Sequence, residues 1–395
     1  MEGVPGSVSQ RLPAAHAGRT TSPGARSATA APVSRAAPPR RAEWRDHFGV
    51  WFVLGVLVSF GYAAAAPALA PGAASARAQV ERGGLQPGVS ALWLALGRGA
   101  VGFPLGDPLL HLCALSVVTG AGLAALWCWR SATDGRLAAA RALTPLEIVG
   151  AAAGVATLAV SRSFFQAATT AGPVAIGVLA ALAPVVLAER VWRSPCDRRL
   201  GLALAAVAGA SAGAPLAAAA IGWPFATLAW GRALRRRARW AAPAPMVFGM
   251  AAIASVVGLA HGSAAVRARD LVGHLALVPV VRAIAHVSVA GMAHAGAELG
   301  DQIGVLALLV AGAGLTRLDA TSWLATLWPI LAGVALRASF GADADGTIGI
   351  IVAAAAVALP LGAGTVRLAE RLGRAAVPAA AAVGVIVVIW PLLAR

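Results

Sequence analysis

The chain has 395 residues, is 59% hydrophobic and only 12% charged, and has a mean hydropathy of +0.76. Soluble globular domains carry about a quarter charged residues, so this composition excludes an ordinary water-soluble globule. The net charge of +16 comes from 32 arginines and no lysine. These sit at the ends of apolar runs rather than in a basic groove with interleaved aromatics, which excludes nucleic acid as the expected partner.

Residues 1–46 are rich in Ala, Pro, Ser and Arg and lack apolar periodicity. They predict a disordered cytoplasmic arm, because such a segment buries too little surface to offset the entropy of ordering. Arg40, Arg41 and Arg45 then precede an apolar run from Phe48 to Ala70. Its Ala-Pro-Ala-Leu-Ala ending resembles a signal-cleavage site, yet the run is long enough to cross a bilayer, and an uncleaved first span is the preferred reading. Further spans are predicted at 109–129, 144–161, 172–189, 200–214, 215–231, 243–260, 302–316, 320–337, 347–366 and 376–394.

The expected fold is therefore all-α: a polytopic membrane helix bundle of about 11 spans over residues 47–395, with external loops near 71–108 and 261–301. This threading puts 23 arginines on one side and nine on the other. Basic residues accumulate on the cytoplasmic side, so the N-terminus is expected inside and the C-terminus outside, in a bacterial inner membrane. Residues 200–231 are short for two spans. A hairpin breaking at Gly213-Ala214-Pro215 nevertheless keeps the flanking arginine clusters on one side. Segment 271–297 is apolar but carries Arg282, His274, His286 and His294. An arginine at mid-bilayer costs about 2.5–3.5 kcal/mol, so this segment reads as an external helix lying in the interface or packed in a cavity.

Cys113 and Cys128 would stand about 22 Å apart on one helix, too far to bridge, and the three cysteines read as small apolar residues. Small residues throughout the spans permit close helix packing in lipid.

Candidate chemistry lies on the external side. Glu81 is the sole acid in the first half of loop 71–108 and the default general base, or else a solvated partner of Arg77 or Arg82. Asp107, immediately before Pro108, suits a helix N-cap. In Ser161-Arg162-Ser163-Phe164-Phe165-Gln166, a cation, two hydroxyls and an amide stand at a span end, where the guanidinium fork could hold a phosphate. Snorkelling to water is the plainer reading of Arg162. Arg267 and Arg269 are further external cations. His294 and Glu298 share a helix face, but no ligand spacing reaches that of a metal motif, and no metal ligand is assigned. No P-loop, GxSxG or dinucleotide fingerprint stands in a suitable context.

Several short stretches together resemble the GT-C glycosyltransferase superfamily, above all the bacterial multi-span family related to the transmembrane O-mannosyltransferases. Gln86-Pro87-Gly88-Val89-Ser90 resembles the family's proline-rich turn, and Leu92 to Pro108 resembles the helix and turn after it. Ser163-Phe164-Phe165-Gln166-Ala167, Asp197-Arg198-Arg199-Leu200 with the hairpin beyond it, and Gly300-Asp301-Gln302-Ile303-Gly304 follow in the family's order. The resemblance implies transfer of a sugar from a polyprenyl phosphate to an acceptor on the non-cytoplasmic face. An external acid would then act as base or metal ligand, and basic residues would hold the lipid phosphate.

The family's acidic positions are lost here. Its Asp-Ser-Gly-Glu stretch falls at Gly72 to Ala76, its histidine at Leu85, and its Glu-Val-Tyr at Gly172-Pro173-Val174. The apolar framework persists while catalysis has either been shed or moved to Glu81 or Asp107. The leading expectation is a GT-C-like mannosyltransferase-type membrane enzyme. Arg77, Arg82, Arg162, Arg267 and Arg269 would bind lipid phosphate, membrane lipid and the polyprenyl-phosphate sugar would be its partners, and a divalent metal is the one cofactor left open. The alternative is a catalytically silent protein that binds a lipid phosphate or a protein partner. A transporter ranks third, since internal repeats and charges deep within the spans are nearly absent.

Overall fold

A computed structural model describes residues 71–82, 91–104, 106–133, 144–258, 287–371 and 373–393, with isolated positions near residue 60 and at 285. The arm 1–46, most of the first predicted span, Arg267, Arg269 and the first half of segment 271–297 lie outside the described residues. Among the described residues the architecture is all-α.

Two short helices, α1 (Pro71–Arg82) and α2 (Ala91–Val101), precede the long α3 (Pro108–Thr133). Helix α4 (Pro145–Val160) opens on a capping box. The Thr144 hydroxyl accepts from the Glu147 N–H, and the Glu147 carboxylate accepts from the Thr144 N–H at 2.9 Å, satisfying two donors the helix start would orphan. The chain then bends by 72° into the short α5 (Arg162–Thr169) and continues as α6 (Val174–Arg193). Asp197 caps α7 (Arg198–Ala210) by accepting from the N–H groups of Arg199 and Leu200.

A 3-10 turn at Ser211–Gly213 leads to α8 (Leu216–Arg235), so the hairpin breaks where Gly213-Ala214-Pro215 predicts. Asp345, from a distant helix, accepts from the Ala217 N–H at 2.8 Å and serves as a borrowed cap for α8. Helix α9 (Ala244–Ile253) ends in a π turn. Then come α10 (Val289–Ile303), α11 (Val305–Leu315), α12 (Ala320–Phe340), α13 (Ala344–Glu370) and α14 (Ala376–Leu393).

Each span predicted from residue 109 onward coincides with a described helix to within a few residues, yet only four helices are long and apolar enough to cross a membrane alone: α3, α6, α12 and α13. Counting each bent pair, α4 with α5 and α10 with α11, as one span gives six. Length is what separates this count from the expected one. At 1.5 Å per residue the 11 residues of α11 reach about 16 Å, half of a roughly 30 Å hydrocarbon core.

Helix α13 is the column around which the others stand, buried along almost its whole length. It is approached through small residues. Gly150 and Gly154 of α4 face Gly362 and Ala358, Gly314 of α11 faces Pro360 and Gly364, and Gly333 of α12 faces Gly349. At Gly154, Gly314 and Gly333 a Cβ would overlap a backbone carbonyl of α13. Small residues thus bring backbones into van der Waals contact, the mode of association that does not depend on expelling water.

The arginines segregate along the bundle axis. Arg130, Arg193, Arg232, Arg317 and Arg367 lie toward one end: Arg130 and Arg193 share Glu189, Arg232 lies over the Trp192 ring, and Arg317 and Arg367 link α11 to α13. The starts of α3, α8 and α13 and the end of α12 lie toward the opposite end.

The bend of 98° between α10 and α11 occurs at Gly304, whose φ of 90° and ψ of 140° fall where only glycine is at ease. Gly304→Ala should cost about 1–3 kcal/mol, read as a lowered thermal midpoint of the purified chain. A neutral result would mean the bend is not held as described.

Candidate functional site

The arginine-poor end gathers the residues with the best claim to chemistry. Helix α1 puts Arg77 and Glu81 one turn apart, and the Arg77 Nε donates to the Glu81 carboxylate at 2.6 Å. Both side chains are about half exposed, so this pair contributes little to stability and is open to a ligand. The hydrogen bond and the charge of Glu81, with a smaller contribution from Asp107, hold the Arg77 guanidinium above its ordinary pKa. Arg77, Glu81 and Asp107 therefore share one electrostatic neighbourhood, built by packing α1 and α2 against the first turns of α3.

Asp107 caps α3: its Oδ1 accepts from the Leu109 N–H at 2.9 Å. A capping carboxylate retains acceptor capacity on its second oxygen. One turn further, His111 lies edge-on to Phe103, with ring centroids 5.5 Å apart, and its Nδ1 is buried with no hydrogen-bond partner. The sequence reading passed over His111 because it stands inside an apolar run. Its i,i+4 spacing from Asp107 was the available signal. Arg82 closes α1, and its side chain lies outside the described set.

Arg162 begins α5, exposed, on a helix that packs against α3. Beside it, at the N-cap, the Ser161 hydroxyl is fully buried, makes no cap hydrogen bond and has no partner. The turn that read as a phosphate holder thus combines a guanidinium in solvent, an unsatisfied hydroxyl and the positive end of a short helix. Among the described residues no hydrogen bond or ion pair joins Arg162 to Glu81 or Asp107.

Glu298 of α10 does not pair with His294. Arg337 of α12 holds it in a fork, Nε to Oε2 at 2.6 Å and Nη2 to Oε1 at 2.8 Å. Arg337 therefore ties α10 to α12. Among the described residues no three His, Cys, Asp or Glu side chains could hold a metal ion together.

A second polar cluster, at the arginine-rich end, escaped the sequence reading altogether. Arg130 of α3 and Glu189 of α6 are only 1% and 2% exposed and pair at 2.8 Å. The other oxygen of Glu189 accepts from Arg193 at 3.0 Å and from the Ser322 hydroxyl at 2.8 Å. Arg193 reaches Asp319, the N-cap of α12, at 3.4 Å. Burial opposes ionisation of Asp319, but hydrogen bonds from Ser322 and the charge of Arg193 outweigh it and hold the carboxyl below the usual range. Among the described residues two cations meet two anions across three helices, the arrangement of a clamp.

Compared with known proteins, the chain matches no protein-family model, no curated protein and no solved structure.

Proposed function

We propose that the chain is a GT-C-like membrane protein that takes up a polyprenyl-phosphate-linked sugar at its arginine-poor end and transfers the sugar to an acceptor on the non-cytoplasmic face. The observation that carries this reading is the start of α5, where the buried, unpartnered Ser161 hydroxyl stands beside the exposed Arg162. A phosphate oxygen would satisfy both, with help from the helix dipole. Arg77 supplies a second cation, and Glu81, Asp107 or His111 supplies the base that removes the acceptor's proton. In this reading the arginine-rich end faces the cytoplasm, and the shorter helices complete a count of about 11 spans.

A second reading, binding without transfer, is favoured by the engagement of both acids: Glu81 with Arg77 and Asp107 with the start of α3. The two are separated by one experiment on the full chain in proteoliposomes loaded with a radiolabelled polyprenyl-phosphate hexose. Binding should weaken on the order of tenfold in Arg162→Gln, as expected for loss of a charge-assisted contact. Transfer should be lost in Glu81→Gln with Asp107→Asn, since asparagine still caps the helix. Binding by the native chain with no transfer to any acceptor establishes the silent reading, and no binding sinks both.

A further inference from the structure

Away from that site, α7, α8 and α9 enclose an apolar groove of about 220 Å3. Trp223, Trp230 and Trp240 line it with Leu204, Thr227 and Phe248. Three indoles and a hydroxyl would ordinarily give such a wall hydrogen-bonding groups. Here every one is turned away. Trp223 donates to the Ala208 carbonyl at 2.8 Å, Trp230 to the Ala241 carbonyl at 2.8 Å and Trp240 to the Pro195 carbonyl at 2.7 Å. The Thr227 hydroxyl donates to the Trp223 carbonyl of its own helix at 2.7 Å. The wall offers a guest no polar partner, so the guest must be hydrocarbon where it touches the wall. Pockets that engulf drug-sized ligands run to roughly 300–1,000 Å3, and this smaller one suits a single chain. Trp223, Thr227 and Trp230 form one stripe of α8, about 10 Å long at 1.5 Å per residue, so the groove runs lengthwise along the helix.

The end of the groove at Trp240 adjoins the densest positive charge in the described structure. Arg235, Arg236, Arg237 and Arg239 are all exposed in the turn leading to Trp240. Arg198 and Arg199, also exposed, start α7, whose Gly201 lies against the Trp240 ring so closely that a Cβ would overlap it. The turn itself is strained in an informative way. Ala238 N–H donates to the Ala233 carbonyl and Arg237 N–H to the Leu234 carbonyl, both at 2.9 Å, the pattern of a Schellman helix end. The left-handed position of that motif usually belongs to glycine, yet it holds Arg237, with φ of 53°. A guanidinium is thus kept where glycine would sit more easily, which directs attention to what the guanidinium does.

We propose that this groove binds one acyl chain of an anionic glycerophospholipid whose phosphate is held by the arginines of the 235–239 turn together with Arg198 and Arg199. An apolar channel leading to a cluster of guanidiniums has the order of polarity of such a lipid, chain first and phosphate at the surface. The site lies at the end opposite the sugar-binding residues and does not depend on the transferase reading.

The test uses the full chain in nanodiscs of phosphatidylcholine doped with phosphatidylglycerol that carries a photoreactive group on one acyl chain. Irradiation should label α8 and α9 at the groove. Unlabelled phosphatidylglycerol should compete on the order of tenfold better than phosphatidylcholine, and raising the salt should erode that advantage. Replacing Arg235, Arg236, Arg237 and Arg239 by glutamine should abolish the preference, and replacing them by lysine should retain it. Ala226→Trp, which fills the groove, should remove the label. The native chain's own salt dependence decides the matter if the glutamine variant fails to fold. Equal competition by the two lipids, label elsewhere on the chain, or better competition by a polyprenyl phosphate would each overturn the proposal.

Discussion

Glu189→Gln should destabilise the bundle by about 3–5 kcal/mol, the cost of breaking a buried ion pair by removing one partner. Arg130 is almost wholly enclosed and stacks on Trp127, its guanidinium 4.6 Å from the ring centroid, so it has little route to water once the carboxylate is gone. The remaining partners do not compensate equally. Arg193 is a quarter exposed and keeps Asp319, whereas Arg130 loses the carboxylate it meets at 2.8 Å. Removing both members of the inner pair, as in Arg130→Met with Glu189→Leu, should therefore cost less than Glu189→Gln alone, because neither member of the pair is left facing a neutral replacement. Thermal unfolding of the purified full chain in one detergent measures all three. A single change milder than the double one would show that the cluster is solvated and not a clamp.

The second large effect concerns two glycines on one helix. Gly314→Ala places a methyl group on the Pro360 carbonyl oxygen and against the backbone of Gly364, neither of which can swing aside. Replacing glycine by alanine in a helix interior gains up to about 1 kcal/mol of propensity, and overpacking typically costs about 1–3 kcal/mol, more when backbone must move. At Gly314 the clash decides the sign, and a loss of about 3 kcal/mol is expected. Gly312, two residues earlier in α11, has nothing within 4 Å of a prospective Cβ. Gly312→Ala should be neutral or slightly stabilising. The ratio of folded monomer to aggregate after mild heating distinguishes the two variants, and equal behaviour would mean that α11 does not approach α13 as described.

Much of this architecture is legible from one dimension because helix boundaries in the chain are written in local chemistry. Thr144 with Glu147, Asp197 and Asp319 announce helix starts in three or four residues, and Gly213-Ala214-Pro215 announces a reversal. What local chemistry does not encode is which helices are long enough to cross alone, or that α10 and α11 meet at a 98° bend. Partnerships across the bundle are equally hidden. Glu189 lies 59 residues from Arg130 and 133 from Ser322, and Glu298 lies 39 from Arg337, so nothing in the neighbouring sequence points to any of these pairs. The candidate site divides in the same manner. The capping role of Asp107 and the pairing of Glu81 with Arg77 follow from spacing alone. The unsatisfied hydroxyl of Ser161 is visible only once α5 is folded.

The central column has a consequence for motion. Carrier proteins that open to alternate sides do so by rocking one half against another along a seam. Here α4 meets α13 backbone to backbone on one face, and α11 and α12 meet it on the other at two different heights, so the described contacts hold the column from both sides. Tilting any one of them would pry apart contacts that have no side chains to cushion the movement. Mobility is expected instead at the periphery, in the short helices α1 and α2 ahead of α3 and at the elbow of Gly304. An axle that does not turn leaves its rim as the part that is free to move.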